Sequence, residues 1–206
     1  MPRILTLDAA LATCSAGLVE DGRVVASRTD PGGQAAALPV MVDDLLSACG
    51  RAFDLVAVTV GPGSFTGLRA ALALAHGIAL AADVPVLGIT VGAAMVHLAP
   101  PGRQFWAAID SKRGRVFLER DGVVASFERE MLPHPGGPVA VAGDAAIVVA
   151  ARLAARGFDV QLLDARRPEP LGIARAALRG QTRPAQPLYI DPPEARPGPA
   201  GRPAPR

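Results

Sequence analysis

The feature that most constrains this chain is a repeat. Residues 17–26 read GLVEDGRVVA and residues 116–125 read VFLERDGVVA. Before each, a short apolar strand, residues 4–7 or 105–109, ends at an aspartate, Asp8 or Asp110. The chain then passes through a short loop into a hairpin turned by Asp-Gly, at Asp21-Gly22 or Asp121-Gly122, a dipeptide suited to the positive φ of a tight hairpin turn. Further signals follow each copy. After the first come helices over 38–49, 68–82 and 91–98, with strands over 55–60 and 84–89 between them. After the second come strands over 139–142 and 160–163 and helices over 145–155 and 171–178. The switching between two-residue and 3.6-residue periods defines these elements. A duplicated βββαβα unit joined near residue 100 predicts a two-lobed α/β protein, with lobes at 1–100 and 101–191.

The 206 residues, half of them hydrophobic and 19% charged, supply a core of ordinary size. The net charge is only +2 and Lys112 is the sole lysine, so a strongly basic surface that holds RNA unaided is not expected. Aromatic residues, at 4%, leave few platforms for base stacking. Cys14 and Cys49 lie in apolar patterns and are too far apart for a CxxC metal knuckle; they are expected as buried thiols in a reducing compartment. Asp8 interrupts the apolar stretch that a signal peptide needs, and prolines and glycines break the charge-free run between Asp83 and Arg103. The expectation is a cytoplasmic protein without a membrane partner. Residues 192–206, mostly Pro, Gly, Ala and Arg, are expected to be disordered.

Two helical segments stand out. Leu38, Met41, Val42, Leu45, Leu46 and Cys49 fall on one face. In residues 68–82, Ala71, Ala75, Ala79 and Ala82 form a stripe of small side chains that lets another helix approach closely. That helix is apolar nearly all round, with His76 as an interruption, and needs cover on more than one side. Between the strand over 55–60 and this helix lies Gly61-Pro62-Gly63-Ser64-Phe65-Thr66-Gly67. Two readings of this loop are open. The glycines permit a tight turn while Ser64 or Thr66 caps the helix, or the free N–H groups cradle an anion. The loop has neither Walker A nor GxGxxG spacing.

Candidate chemistry elsewhere is sparse. Asp8 and Asp110, each ending a strand that opens a lobe, could hold a metal–phosphate complex or simply accept loop N–H bonds. Asp8 is followed by Ala9 and Ala10, so no hydroxyl is at hand for a phosphate. His76, His97 and His134 include no i, i+4 pair, and Ser64 lacks the glycine of a nucleophile elbow. Neither a metal site nor a hydrolase triad is expected.

The segment Gly61-Pro62-Gly63-Ser64-Phe65-Thr66-Gly67-Leu68-Arg69 resembles the hallmark of the bacterial TsaB (YeaZ) family. The opening Ile4-Leu5-Thr6-Leu7-Asp8, Cys14-Ser15, Asp110-Ser111-Lys112-Arg113-Gly114-Arg115-Val116-Phe117 and Leu188-Tyr189-Ile190 are similar to other parts of that family. The resemblance covers roughly residues 3–197. It implies the actin-like, ribonuclease-H-like (ASKHA) fold. It implies a non-catalytic subunit that pairs with a homologous TsaD-type catalytic subunit and, through the complex, with a TsaE-type ATPase. The chemistry implied is transfer of threonylcarbamoyl from threonylcarbamoyl-AMP to N6 of the adenosine beside the anticodon of ANN-decoding tRNAs. On this reading the chain itself holds no cofactor, ATP and metal belong to the partners, and tRNA is met indirectly. The resemblance further implies pairing through the first two long helices, here with Leu38, Met41, Val42, Leu45, Leu46, Leu68, Arg69, Leu72, Ala75 and Ala79 as candidate contacts, and a possible homodimer through the same face. Ala9 stands where the family often has threonine, and Gln34 and Ala36 where it often has histidine and glutamate. The alternative is an independent nucleotide-dependent transferase or kinase using Asp8, Asp110 and the glycine loop.

Overall fold

The computed structural model describes residues 2–32 and 35–190. In the first lobe, β1 (Ile4–Asp8), β2 (Cys14–Glu20) and β3 (Arg23–Asp30) form an antiparallel meander. Helix α1 (Leu38–Cys49), strand β4 (Leu55–Gly61), helix α2 (Phe65–Ala82), strand β5 (Val86–Thr90) and the short helix α3 (Val91–Met95) follow. The second lobe has β6 (Gln104–Asp110), β7 (Arg115–Arg120), β8 (Val123–Glu128), β9 (Val139–Ala142), α4 (Ala146–Ala155) and β10 (Val160–Leu162), followed by α5 (Pro170–Leu178). It repeats the strand plan but not the predicted βββαβα unit, because among the described residues no helix stands between its third and fourth strands where α1 stands in the first lobe. The sheet orders are β3-β2-β1-β4-β5 and β10-β9-β6-β7-β8, which is one order read from opposite edges. The duplication seen in the sequence is therefore a duplication of topology. It extends to detail: Asp8 accepts the N–H of Ala10 and Asp110 the N–H of Lys112, each two residues on.

Local chemistry accounts for the boundaries. Both Asp-Gly turns place their aspartate and glycine at positive φ, the geometry a two-residue hairpin requires. Helix α2 starts at Phe65, three residues before the apolar period predicts, because Ser64 caps it by accepting the N–H of Gly67. It ends at Asp83 in a left-handed turn that returns the Val84 N–H to the Ala79 carbonyl, which delays β5 to Val86. The predicted helix over 91–98 divides into α3 and a 3-10 turn over Val96–Leu98.

Helices α1 and α2 cover the first sheet, closing a core of Leu5, Leu7, Leu18, Val58, Leu45 and Leu72. In the second lobe α4 packs on the sheet through Val149 and Leu153. Helix α5 follows the second lobe in sequence, yet it packs against the first sheet, where Ile173 and Ala176 meet Ile4, Val19 and Ile89. A further apolar cluster joins the lobes, with Ala10, Leu11, Leu68, Val91 and Met95 against Phe105, Ala107, Ile109 and Ala142. Helix α2 has the length and hydropathy of a membrane span, but its inner face is part of the first lobe's core. The expectation for residues 192–206 and the departure at Gln34 lie outside the described residues.

Candidate functional site

The glycine loop is packed against the chain's own backbone. A Cβ on Gly63 would sit 2.0 Å from the Ala10 carbonyl oxygen, and one on Gly67 2.2 Å from that of Ala9. The Ser64 N–H donates to the Ala10 carbonyl at 2.7 Å. The loop therefore presses α2 onto the β1–β2 connection, and the glycines are required by that close approach. Of the two readings the sequence leaves open, the tight turn with a Ser64 cap is the one observed. In the second lobe a Cβ on Gly143, just after β9, would lie 2.2 Å from the Ala108 carbonyl oxygen, another close backbone approach.

Asp8 is buried beside this loop. Its Oδ1 accepts from Thr59 at 2.5 Å and from the Ala10 N–H at 3.1 Å, while Oδ2 has no hydrogen-bond partner among the described residues. Burial pushes its pKa up to about 6, against the two hydrogen bonds and the more distant Arg167 guanidinium, which pull it down. The folded state thus holds a proton that the unfolded chain releases near its ordinary value of 3.8. The contribution of Asp8 to stability is greatest below that value, falls as pH rises towards 6, and is flat above it. Asp8→Asn should remove this contribution, flattening the fall in stability with pH, and stabilise the chain near pH 7.5, by on the order of 3 kcal/mol if the amide fits as well as the carboxylate. Urea unfolding at pH 5 and 7.5 checks this; an unchanged slope in the variant would contradict it.

Asp110 sits in different surroundings. Partial burial opposes its ionisation, but the Lys112 N–H, the Lys112 ammonium and Arg129 together hold it below the usual carboxylate range. Lys112 Nζ bridges Asp110 at 3.3 Å and Asp144 at 3.5 Å. Asp8 and Asp110 are thus each engaged in a separate local network. Among the described residues no group of three or more His, Cys, Asp or Glu side chains could hold a metal. His76 donates from Nε2 to the Ala185 carbonyl at 2.8 Å. Cys14 is buried as expected, whereas Cys49 is half-exposed at the end of α1. These arrangements do not favour the transferase or kinase alternative.

The candidate contacts on α1 and α2 divide. Leu38, Val42, Leu45, Leu46, Leu68, Leu72, Ala75 and Ala79 are all buried, all but Leu68 in the first lobe's own core and Leu68 in the seam between lobes. Met41 is half-buried and Arg69 exposed. The physical reason is that both sides of α2 are apolar, and the sheet takes the side with the larger stripe. The surface turned to solvent is instead Phe65, Ala73, Gly77, Leu80 and Ala81, with Leu80 85% exposed, and Val40 of α1 is 65% exposed. A charge at Leu45 or Leu72 would accordingly disrupt folding before it reported on pairing.

One buried carboxylate was not singled out by the sequence. Glu119 of β7 accepts from the Thr90 hydroxyl and, at 2.7 Å, from the Gly92 N–H at the start of α3. It ties the second lobe to the first and lines a cavity of about 580 Å³ with Arg103, Phe105 and Arg183. Burial raises its pKa against those hydrogen bonds. Within VFLER it reads as an ordinary strand residue, and no local signal marks it as internal.

Two five-stranded sheets of one topology, joined across an apolar seam, define a two-lobed actin-like α/β protein. Comparison with known proteins agrees. The family profile "TsaD: tRNA N6-adenosine threonylcarbamoyltransferase" matches residues 34–182. The Escherichia coli (strain K12) tRNA threonylcarbamoyladenosine biosynthesis protein TsaB is 34% identical over 145 residues, covering 65% of this chain and 63% of that protein. Its Haemophilus influenzae namesake is 33% identical over 128 residues, and the match spans 52% of its length. An uncharacterized Mycobacterium tuberculosis protein is 31% identical, with 94% of each chain covered. The solved structure of YeaZ from Pseudomonas aeruginosa superposes with a TM-score of 0.76 at 27% identity, covering 92% of this chain and all of that one. The chain belongs to the TsaB (YeaZ) family.

Proposed function

We propose that this chain is the activating partner subunit of a complex that transfers a threonylcarbamoyl group to N6 of the adenosine beside the anticodon in ANN-decoding tRNAs. The relatives' names support a place in threonylcarbamoyladenosine biosynthesis, and the match to the TsaD family supports a TsaD-type subunit as the partner. The observation that carries the reading is α2. Its inner face is spent on the core, yet Ala73, Gly77, Leu80 and Ala81 remain in solvent on its outer face. Small residues around one large exposed leucine suit the close approach of a second helix.

In this proposal the partner brings the metal, nucleotide and acceptor chemistry, a TsaE-type ATPase joins through the complex, and tRNA is contacted mainly by the assembly. A homodimer through the same face is the competing state of the free chain, and the setting is cytoplasmic. Sedimentation velocity of the chain mixed with a TsaD-type subunit from the same genome tests the pairing. A one-to-one complex is expected; two independent species at micromolar concentration would overturn it.

A further inference from the structure

The structure brings two separate signature segments together. Arg69, from the glycine segment, donates from Nε to the hydroxyl of Tyr189, from the C-terminal signature, at 2.9 Å and across 120 residues of sequence. The Arg69 guanidinium lies 3.9 Å from the Phe65 ring centroid and 5.8 Å from that of Tyr189, and the two rings are 5.7 Å apart. Phe65 is 55% exposed and Tyr189 52% exposed.

This stack is not needed to hold the C-terminal segment in place. Residues 183–188 are already fixed by the pairing of Arg183 with Gly88, by the His76 bond to Ala185, and by the Leu188 N–H on the Val60 carbonyl. What the stack does is immobilise an arginine at the surface. Among the described residues neither Nη of Arg69 has a hydrogen bond or an ion pair, so the open end of the guanidinium fork is available to a ligand. A planar, weakly hydrated fork backed by aromatic faces is suited to an oxyanion, with its rotamer entropy already lost.

We infer that Phe65, Arg69 and Tyr189 form the polar anchor of the α2 docking face and receive a carboxylate from an acidic segment of the partner protein. A protein carboxylate is favoured over an RNA phosphate because Arg69 is the only Lys or Arg in α2. Affinity for nucleic acid is built from several phosphate contacts made together. Arginine and tyrosine are also the residue types that concentrate binding energy at protein interfaces. The inference rests on the proposed pairing and adds the chemistry of its recognition.

The test uses the full chain and a TsaD-type subunit, with affinities from sedimentation equilibrium and filter binding to tRNA run in parallel. Arg69→Ala should weaken the complex by roughly 30-fold, the scale of a single interface hot spot. Arg69→Lys should recover little, because charge without the planar fork is insufficient. Tyr189→Phe should show a smaller loss, and all three free variants should melt with the wild type. If wild type and Arg69→Ala pair equally well, the anchor is overturned and the pairing stands. If the wild type forms no complex, both fall. If Arg69→Ala loses tRNA binding with pairing intact, the ligand is a phosphate and the carboxylate assignment is overturned.

Discussion

Gly67→Ala will destabilise the folded chain by about 2–3 kcal/mol, although alanine is the better helix former by about 1 kcal/mol. The added methyl would stand 2.2 Å from the Ala9 carbonyl oxygen, which is backbone and cannot rotate away. Relief requires α2 to lift from the β1–β2 connection. That movement strains the Ser64–Ala10 hydrogen bond and withdraws Leu68 from the seam between lobes. For a chain of this size the loss amounts to a fall of roughly 5–10 °C in melting temperature. Gly77→Ala supplies the contrast. Nothing lies within 4 Å of its added methyl, so it should stabilise the free chain by up to about 1 kcal/mol. Thermal and urea denaturation of the two variants, side by side, check both signs. A neutral Gly67→Ala would contradict the assignment of this glycine to close packing.

The second large effect separates core from surface on α2. Leu72→Glu places a carboxylate among the apolar side chains of the first lobe's core and should unfold the lobe. Leu80→Glu, eight residues on, adds a charge to a position already in water and should melt as the wild type does. It should nonetheless abolish pairing with a TsaD-type subunit, raising Kd at least ~100-fold, because the same charge would be desolvated at the interface. Circular dichroism and sedimentation velocity on both variants check this. Pairing of Leu80→Glu at wild-type strength would remove the outer face of α2 from the account.

The same helix shows why the sequence reveals some things and conceals others. The duplicated plan was legible because Asp21-Gly22 and Asp121-Gly122 report turn geometry locally, and the apolar runs between them keep one period. The inward side of α2 was not legible in the same way. Ala71, Leu72, Ala75 and Ala79 form one apolar stripe, and Ala73, Gly77, Leu80 and Ala81 form another. A helix apolar on both sides gives periodicity little to choose with, so eight candidate contacts on α1 and α2 proved to be internal. The glycine loop was ambiguous for a related reason. Spacing alone does not distinguish glycines that admit a phosphate from glycines that admit a neighbouring carbonyl, and the carbonyls of Ala9 and Ala10 come from more than fifty residues away. Glu119 and Tyr189 acquire their roles only through partners distant in sequence, Thr90 and Gly92 for the one and Arg69 for the other.

The central proposal is that this chain lends surface and no reaction chemistry. It is tested most directly by measuring N6-threonylcarbamoyladenosine in unmodified tRNA incubated with threonylcarbamoyl-AMP, the chain, and a TsaD-type subunit with its ATPase, each component omitted in turn. The account predicts no product from the chain alone and substantial product only when chain and catalytic subunit are both present. Product formed by the isolated chain, or undiminished product when the chain is left out, would contradict it.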